Sequence, residues 1–323
     1  MRPTLGALIF YGATALAAEP TEGLDWRGQA DAQTYYLESE VQLPGYLWLA
    51  AIQNKEARVP TWQLRAVLQC APAVAEGKRA WSTLCTLQDV GLKAATMTSE
   101  AEVLPPILEE VDGHLTGAQV ELVFGTDGRL KAVDLLGLSE TNNRERRIQE
   151  NLRLMVTRAV AGFDLQLPKK GKAPYGAWSQ TGSVLMGSPS SVGTLGSSEF
   201  IHEVIALRGA SAVVQTKGRG MVVPSGGADQ FDTELESMSV FDTGAGRLTE
   251  RVWVAVGNPT ASSRQAEGGR GFMYRQQGKL LWIAPGEPIP DVGATELVAG
   301  PGVEGSALPA WQALGLIPVP EAP

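Results

Sequence analysis

Residues 142–161 carry the one strong helical pattern in this 323-residue chain, and the sequence on either side reads as strands and turns. Ile148, Leu152, Met155, Val156 and Ala159 fall on one stripe at a period of 3.6 residues, so that face must be buried. Asn142 stands where an N-cap belongs with Glu145 three residues on, the spacing of a capping box, and Gly162 ends the run. One helix with one apolar stripe makes no core by itself; the strands must supply the facing surface. The expected fold is therefore mainly β, a curved antiparallel sheet or barrel wrapped around one long α-helix. The opposite face carries Arg144, Arg147, Glu150, Arg153 and Arg158, which are expected to be solvated.

The first residues read as an address. Arg2 gives a short charged start, residues 5–16 are apolar, and Ala15-Leu16-Ala17 offers the small-x-small pattern of a cleavage site. The apolar run is well short of the ~20 residues a membrane span needs. Residues 1–18 are therefore expected to be a signal peptide, residues 19–284 a β-rich barrel-like domain, and residues 285–323, where proline and glycine recur, an extended or disordered tail. Export to a periplasmic, cell-envelope or extracellular location follows, with no transmembrane segment.

The cysteines agree with that route. Trp62, Leu64, Ala66, Leu68 and Cys70 alternate along one strand, and Trp81, Cys85 and Leu87 share a face on the next. A two-residue turn at Gly77-Lys78 places Cys70 opposite Cys85 and Leu68 opposite Leu87. Directly opposed cysteines in an oxidising compartment predict a Cys70–Cys85 disulfide.

Further strands follow the same alternation. Residues 34–41 and 46–53 form a first pair, and residues 58–70 and 80–93 continue the meander. Residues 104–111 make a short helix after Pro105-Pro106. Residues 117–124 and 129–136 pair across Gly125-Thr126-Asp127-Gly128, where Asp-Gly suits a tight hairpin. A basic connector, residues 167–174, reads as a hinge. Residues 178–186 form a strand and residues 187–198 a Gly/Ser-rich linker. Three hairpins are then expected: 200–207 with 212–217, 232–241 with 247–256, and 272–276 with 279–284 across Gln277-Gly278.

The chemistry-bearing residues form no reactive set. Only two histidines are present, His114 and His202, and His202-Glu203 lacks the second histidine of a zinc protease helix. No Gly-x-Ser-x-Gly elbow occurs among the serines of 188–198. Asp229, Asp232, Glu234 and Glu236 read as a polar strand face rather than a calcium site. No enzyme activity, cofactor or metal is expected. A net charge of −8 argues against nucleic acid as a partner.

The order of elements, with Phe124-Gly125-Thr126-Asp127-Gly128-Arg129 as the hairpin before the helix and Cys70 upstream, resembles the N-terminal β-barrel of the vitellogenin or large lipid-transfer family. In that family strands wrap a central helix preceded by a Phe-x-x-Asp-Gly hairpin, and the likeness spans residues 35–256. The architecture is also similar to that of periplasmic lipoprotein carriers, whose curved sheet shelters acyl chains over helices. Apolar pockets form at barrel mouths and need only a few polar groups, so the scaffold leads to the expectation of an exported, non-enzymatic binding protein that holds a lipid or other hydrophobic ligand between the curved sheet and the helix. Trp62, Trp81, Trp178 and Trp253, with Leu152 and Met155, are the expected lining. The alternative is a structural or protein-interaction module of the cell envelope.

Overall fold

The computed structural model describes residues 24–26, 30–42, 61–77, 80–95, 106–137, 142–168, 177–181, 194–195, 199–223, 231–259 and 274–292. Before the main helix come β1 (Gln33–Gln42), β2 (Thr61–Cys70), β3 (Val74–Glu76), β4 (Ala80–Ala95), α1 (Pro106–Leu115), β5 (Gln119–Gly125) and β6 (Leu130–Leu136). After α2 (Asn143–Val160) and a 3-10 turn (Ala161–Phe163) come β7 (Ala177–Thr181), β8 (Thr194–Leu195), β9 (Glu199–Arg208), β10 (Ser211–Val223), β11 (Phe231–Asp242), β12 (Arg247–Pro259) and β13 (Tyr274–Ile283).

These strands form one antiparallel sheet in the order β6-β5-β4-β2-β1-β13-β12-β11-β10-β9-β7, with β3 beside β4 and β8 beside β10. β1 lies between β2 and β13, so strands from both sides of α2 share one ladder. The order has two ends, β6 and β7, and the expected barrel is corrected to an open sheet.

The sheet curls strongly. β5 and β11 are six steps apart in the order, about 29 Å in a flat sheet. Yet the Trp26 indole touches Phe124 of β5 at 6.4 Å, Trp81 of β4 at 6.1 Å and Phe241 of β11 at 5.3 Å between ring centroids. Only a rolled sheet brings those three strands to one ring. Apolar residues on its concave face and the stripe of α2 make one continuous core.

α2 begins as the sequence predicts. The Asn142 side-chain oxygen accepts hydrogen bonds from the backbone N–H of Arg144 and Glu145 at 2.9 and 3.0 Å. Ile148, Leu152, Met155, Val156 and Ala159 are buried. With 18 residues the helix is about 27 Å long, and it is one of three short helical segments among the described residues, which corrects the long central helix expected over 142–161. Gly162 supplies no left-handed cap, because Ala161 keeps helical angles and the chain runs on into the 3-10 turn. The polar face is corrected too. Arg144 is exposed and pairs with Glu110 of α1, whereas Arg158 is buried against Gln276 of β13.

Other differences have local reasons. Gln277-Gly278 is no turn; β13 runs straight through it, since Gly278 is small to make room for the Trp253 ring rather than to bend the chain. The 187–198 linker contains β8, which pairs with the end of β10. Residues 46–53, expected to pair with β1, lie outside the described residues, and β2 pairs with β1 instead. Residues 169–174 of the hinge, 182–186 of the next predicted strand and the tail beyond 292 also lie outside them. The cysteine hairpin forms in the expected register, Cys70 opposite Cys85 and Leu68 opposite Leu87, with the disulfide in place.

Candidate functional site

The concave face of the sheet gathers the residues singled out from the sequence. Trp62, Trp81, Leu152, Met155 and Trp253 belong to one buried cluster, and Trp178 packs against it partly exposed. Alternation sets this: Trp62, Leu64, Ala66 and Leu68 all face inward along β2. Trp81 stacks on Phe124 at 4.1 Å with the planes 13° apart. The Trp253 ring lies where a side chain at Gly162 or Gly278 would stand.

The indole N–H groups divide into two sets. Those of Trp26, Trp178 and Trp282 donate to Leu165 O, Gln166 O and Gln33 Oε1 at 3.3, 3.0 and 2.6 Å. Those of Trp62, Trp81 and Trp253 are buried with no acceptor among the described residues, as is the Ser39 hydroxyl. Ser39 faces Gly278 across the ladder, and Gly278 faces Trp253. Trp62 is two residues further along, opposite Val41. An unsatisfied buried donor costs roughly 1–3 kcal/mol.

A second feature escaped the sequence reading: the short segment after α2 ties distant strands together. Asp164 Oδ1 accepts from Leu130 N of β6 at 3.0 Å. The buried Arg251 of β12 donates to the Asp164 carbonyl and to Ser237 Oγ, the latter at 3.1 Å. Gln166 Nε2 donates to Asp127 Oδ2 at 2.9 Å, while Gln166 O accepts from Trp178 of β7. Leu167 N donates to Asp127 O at 2.8 Å. Residues 164–167 thus touch both ends of the open sheet. Arg251 was legible in principle, since it shares its parity with the inward Trp253 and Ala255; Leu24 and Trp26 likewise alternate inside a leader that otherwise reads as polar.

Burial shifts the ionisable groups here. It pushes the Asp164 carboxyl up to about 6, against the opposing pull of Arg251, the Leu130 N–H and Arg129. It lowers Arg251 to about 10, with Asp164 working the other way. His202 falls to about 3 through burial and the nearby Arg251 charge; its Nδ1 lies 2.9 Å from Thr216 Oγ1 and its ring stacks on Trp178.

Among the described residues no group of three or more His, Cys, Asp or Glu side chains is placed to hold a metal ion. Asp229 lies outside them, and Glu234 is exposed and paired with Arg219. A half-open cleft of about 350 Å³ sits at one end of β1 and β13, lined by Gln33, Arg247, Trp282, Pro285, Glu287 and Ile289 among others. One wall is tied together: the Arg247 guanidinium lies 3.7 Å over the Trp282 ring, and both donate to Gln33 Oε1. No helix among the described residues is long and apolar enough to cross a membrane.

No protein-family model matches this chain, and no curated protein matches it. Its fold is similar to that of lipovitellin in a structure described as showing lipid–protein interactions, at 10% identity and a TM-score of 0.46 over 84% of this chain. The match covers 26% of the lipovitellin chain, so this chain spans about a quarter of that length. The vitellogenin-type resemblance of the sequence has a counterpart in this fold likeness.

Proposed function

We propose that this chain is an exported, non-enzymatic binding protein that holds a lipid or other apolar ligand inside the rolled sheet against α2. The observation that carries the reading is the set of inward donors on Ser39, Trp62, Trp81 and Trp253, buried on an apolar face without acceptors among the described residues. An apolar ligand bearing carbonyl, ester or ether oxygens supplies both the missing acceptors and apolar surface. Asp164 and Arg251 are meanwhile engaged in holding backbone, a structural rather than a reactive employment. The Cys70–Cys85 disulfide supports passage through an oxidising compartment.

Native mass spectrometry and organic extraction of purified protein test this. A co-purifying lipid, or saturable binding of an acyl probe quenching tryptophan fluorescence, is the expected result. A protein that yields no ligand and ignores such probes is not this kind of carrier.

A second reading, an envelope interaction module, draws on the outer face of β9. Ile201 and Ile205 are 52% and 47% exposed there, beside the five-residue end strand β7. Ile205→Lys should then abolish capture of a partner without changing thermal stability.

A further inference from the structure

The two ends of the open sheet, β6 and β7, are joined by no ladder among the described residues, yet they are not independent. Every link between them described above passes through residues 164–167. On one side Asp164 accepts from Leu130 at the start of β6, and Gln166 and Leu167 both bind Asp127 in the turn before it. On the other side Trp178 of β7 donates to Gln166 O. An antiparallel ladder commits both backbone groups of every second residue to the neighbouring strand, so it parts only by breaking many bonds together. A seam crossed at one end by a handful of bonds, two of them from the single side chains of Gln166 and Trp178, opens locally. The anchors behind the segment are firmer: Arg251 grips the carbonyl of Asp164, and Phe163 packs on Tyr35 of β1 with ring centroids 4.9 Å apart.

We propose that residues 164–167 form a latch across the β6/β7 seam, and that release of this latch is the route by which the interior takes up and gives off its ligand. The inference rests on the binding function proposed above. The firm side of the hinge is the 3-10 turn, held by Arg251 and Tyr35, and the yielding side is the pair of contacts to Asp127 and Trp178. The charged groups around Asp164 are Arg251 of β12 and Arg129 and Asp127 of the β5–β6 turn; Arg251 also faces His202 of β9.

Covalent closure and selective weakening test the proposal. The Asp127 and Gln166 side chains touch, so Asp127→Cys with Gln166→Cys places two thiols across the latch. Oxidation of that pair should slow uptake of a fluorescent fatty acid by about tenfold or more relative to oxidised wild type, whereas Gln166→Ala and Trp178→Phe should speed it several-fold. Equal rates in all four proteins would overturn the latch. Should wild type take up no fatty acid, the binding function is what fails, and amide exchange of the unliganded chain then decides the latch separately. Trp178→Phe, which keeps the ring on His202, is expected to speed exchange at Leu130 and Leu167 about fivefold or more while leaving the β1 amides unchanged. No change, or an equal change throughout the sheet, would remove the latch.

Discussion

The Trp253 ring fills the space over Gly278 where a side chain would stand, and it covers Gly162 in the same way. β12, β13 and the turn after α2 therefore meet at one indole. In an open site, replacing glycine by alanine stabilises an element interior by roughly 0.5–1 kcal/mol through the unfolded chain. At Gly278 the sign should reverse. A Cβ would also come within 2.7 Å of the Glu38 carbonyl, which cannot move without disturbing β1. Gly278→Ala is expected to cost about 1–3 kcal/mol, the usual penalty for overpacking. Gly113 of α1 provides the matched control, being exposed with nothing near its missing Cβ. Gly113→Ala should raise the urea midpoint; if Gly278→Ala raises it too, the ring is not seated as described.

The disulfide closes a loop with a sequence separation of 15, for which chain entropy gives about 3 kcal/mol. Cys70→Ser together with Cys85→Ser should lower the unfolding free energy by about that amount. Intact-mass measurement without reductant checks the bridge directly, since two free thiols carry two more hydrogen atoms than the disulfide.

Much of this was legible locally. The register of Cys70 on Cys85, the hairpin at Asp127-Gly128 and the Asn142 cap each depend on residues close in sequence, where alternation, a positive-φ glycine and a side-chain acceptor are readable one at a time. Gly128 illustrates the limit. Its φ of 81° fits the predicted turn, but it also lies beneath Trp26, and nothing in the sequence couples positions 26 and 128. Gly278 was misread for the same reason, because a glycine that bends a chain and one that admits a distant ring look alike. The lacing of residues 164–167 to Leu130, Trp178 and Arg251 joins partners 34, 12 and 87 positions apart. Periodicity carries no information about such pairs. That these tryptophans face inward was legible because parity is local; that the indoles of Trp62, Trp81 and Trp253 lack acceptors among the described residues is visible only with the sheet rolled.

On α2 the side chains should rank by contact rather than by type. Leu152→Ala removes a fully buried side chain and should cost about 2–5 kcal/mol. Arg158→Ala strips Gln276 Oε1 of a buried donor and should cost roughly 1–3 kcal/mol. Arg144→Ala loses only an exposed, solvent-screened ion pair and should cost the least of the three. Thermal or denaturant unfolding of the three variants checks the order; an Arg144 effect as large as that of Arg158 would mean that the helix is rotated from this placement.

Acid should act on the fold through two buried groups with opposite signs. Asp164 titrates near 6 in the folded protein and near its ordinary value of about 4 when unfolded. As pH falls from about 6 to 4 the folded state takes up a proton that the unfolded chain does not, so this group adds stability on acidification. His202 titrates near 3 when folded and near 6.5 when unfolded. As pH falls from 6.5 toward 3 the unfolded chain is protonated first, and this group subtracts stability. Between about pH 6 and 4 the two contributions oppose each other, each with a slope of up to about 1.4 kcal/mol per pH unit. Removing either one should expose the other. Relative to wild type, Asp164→Asn is expected to lose stability as pH falls from about 6 to 4, and His202→Gln to gain it as pH falls from about 6.5 toward 3. Urea midpoints at pH 7, 5.5 and 4.5 measure both differences. Parallel profiles for Asp164→Asn and wild type would show that this carboxyl ionises as it would in water, and would put it outside the buried cluster on which the seam depends.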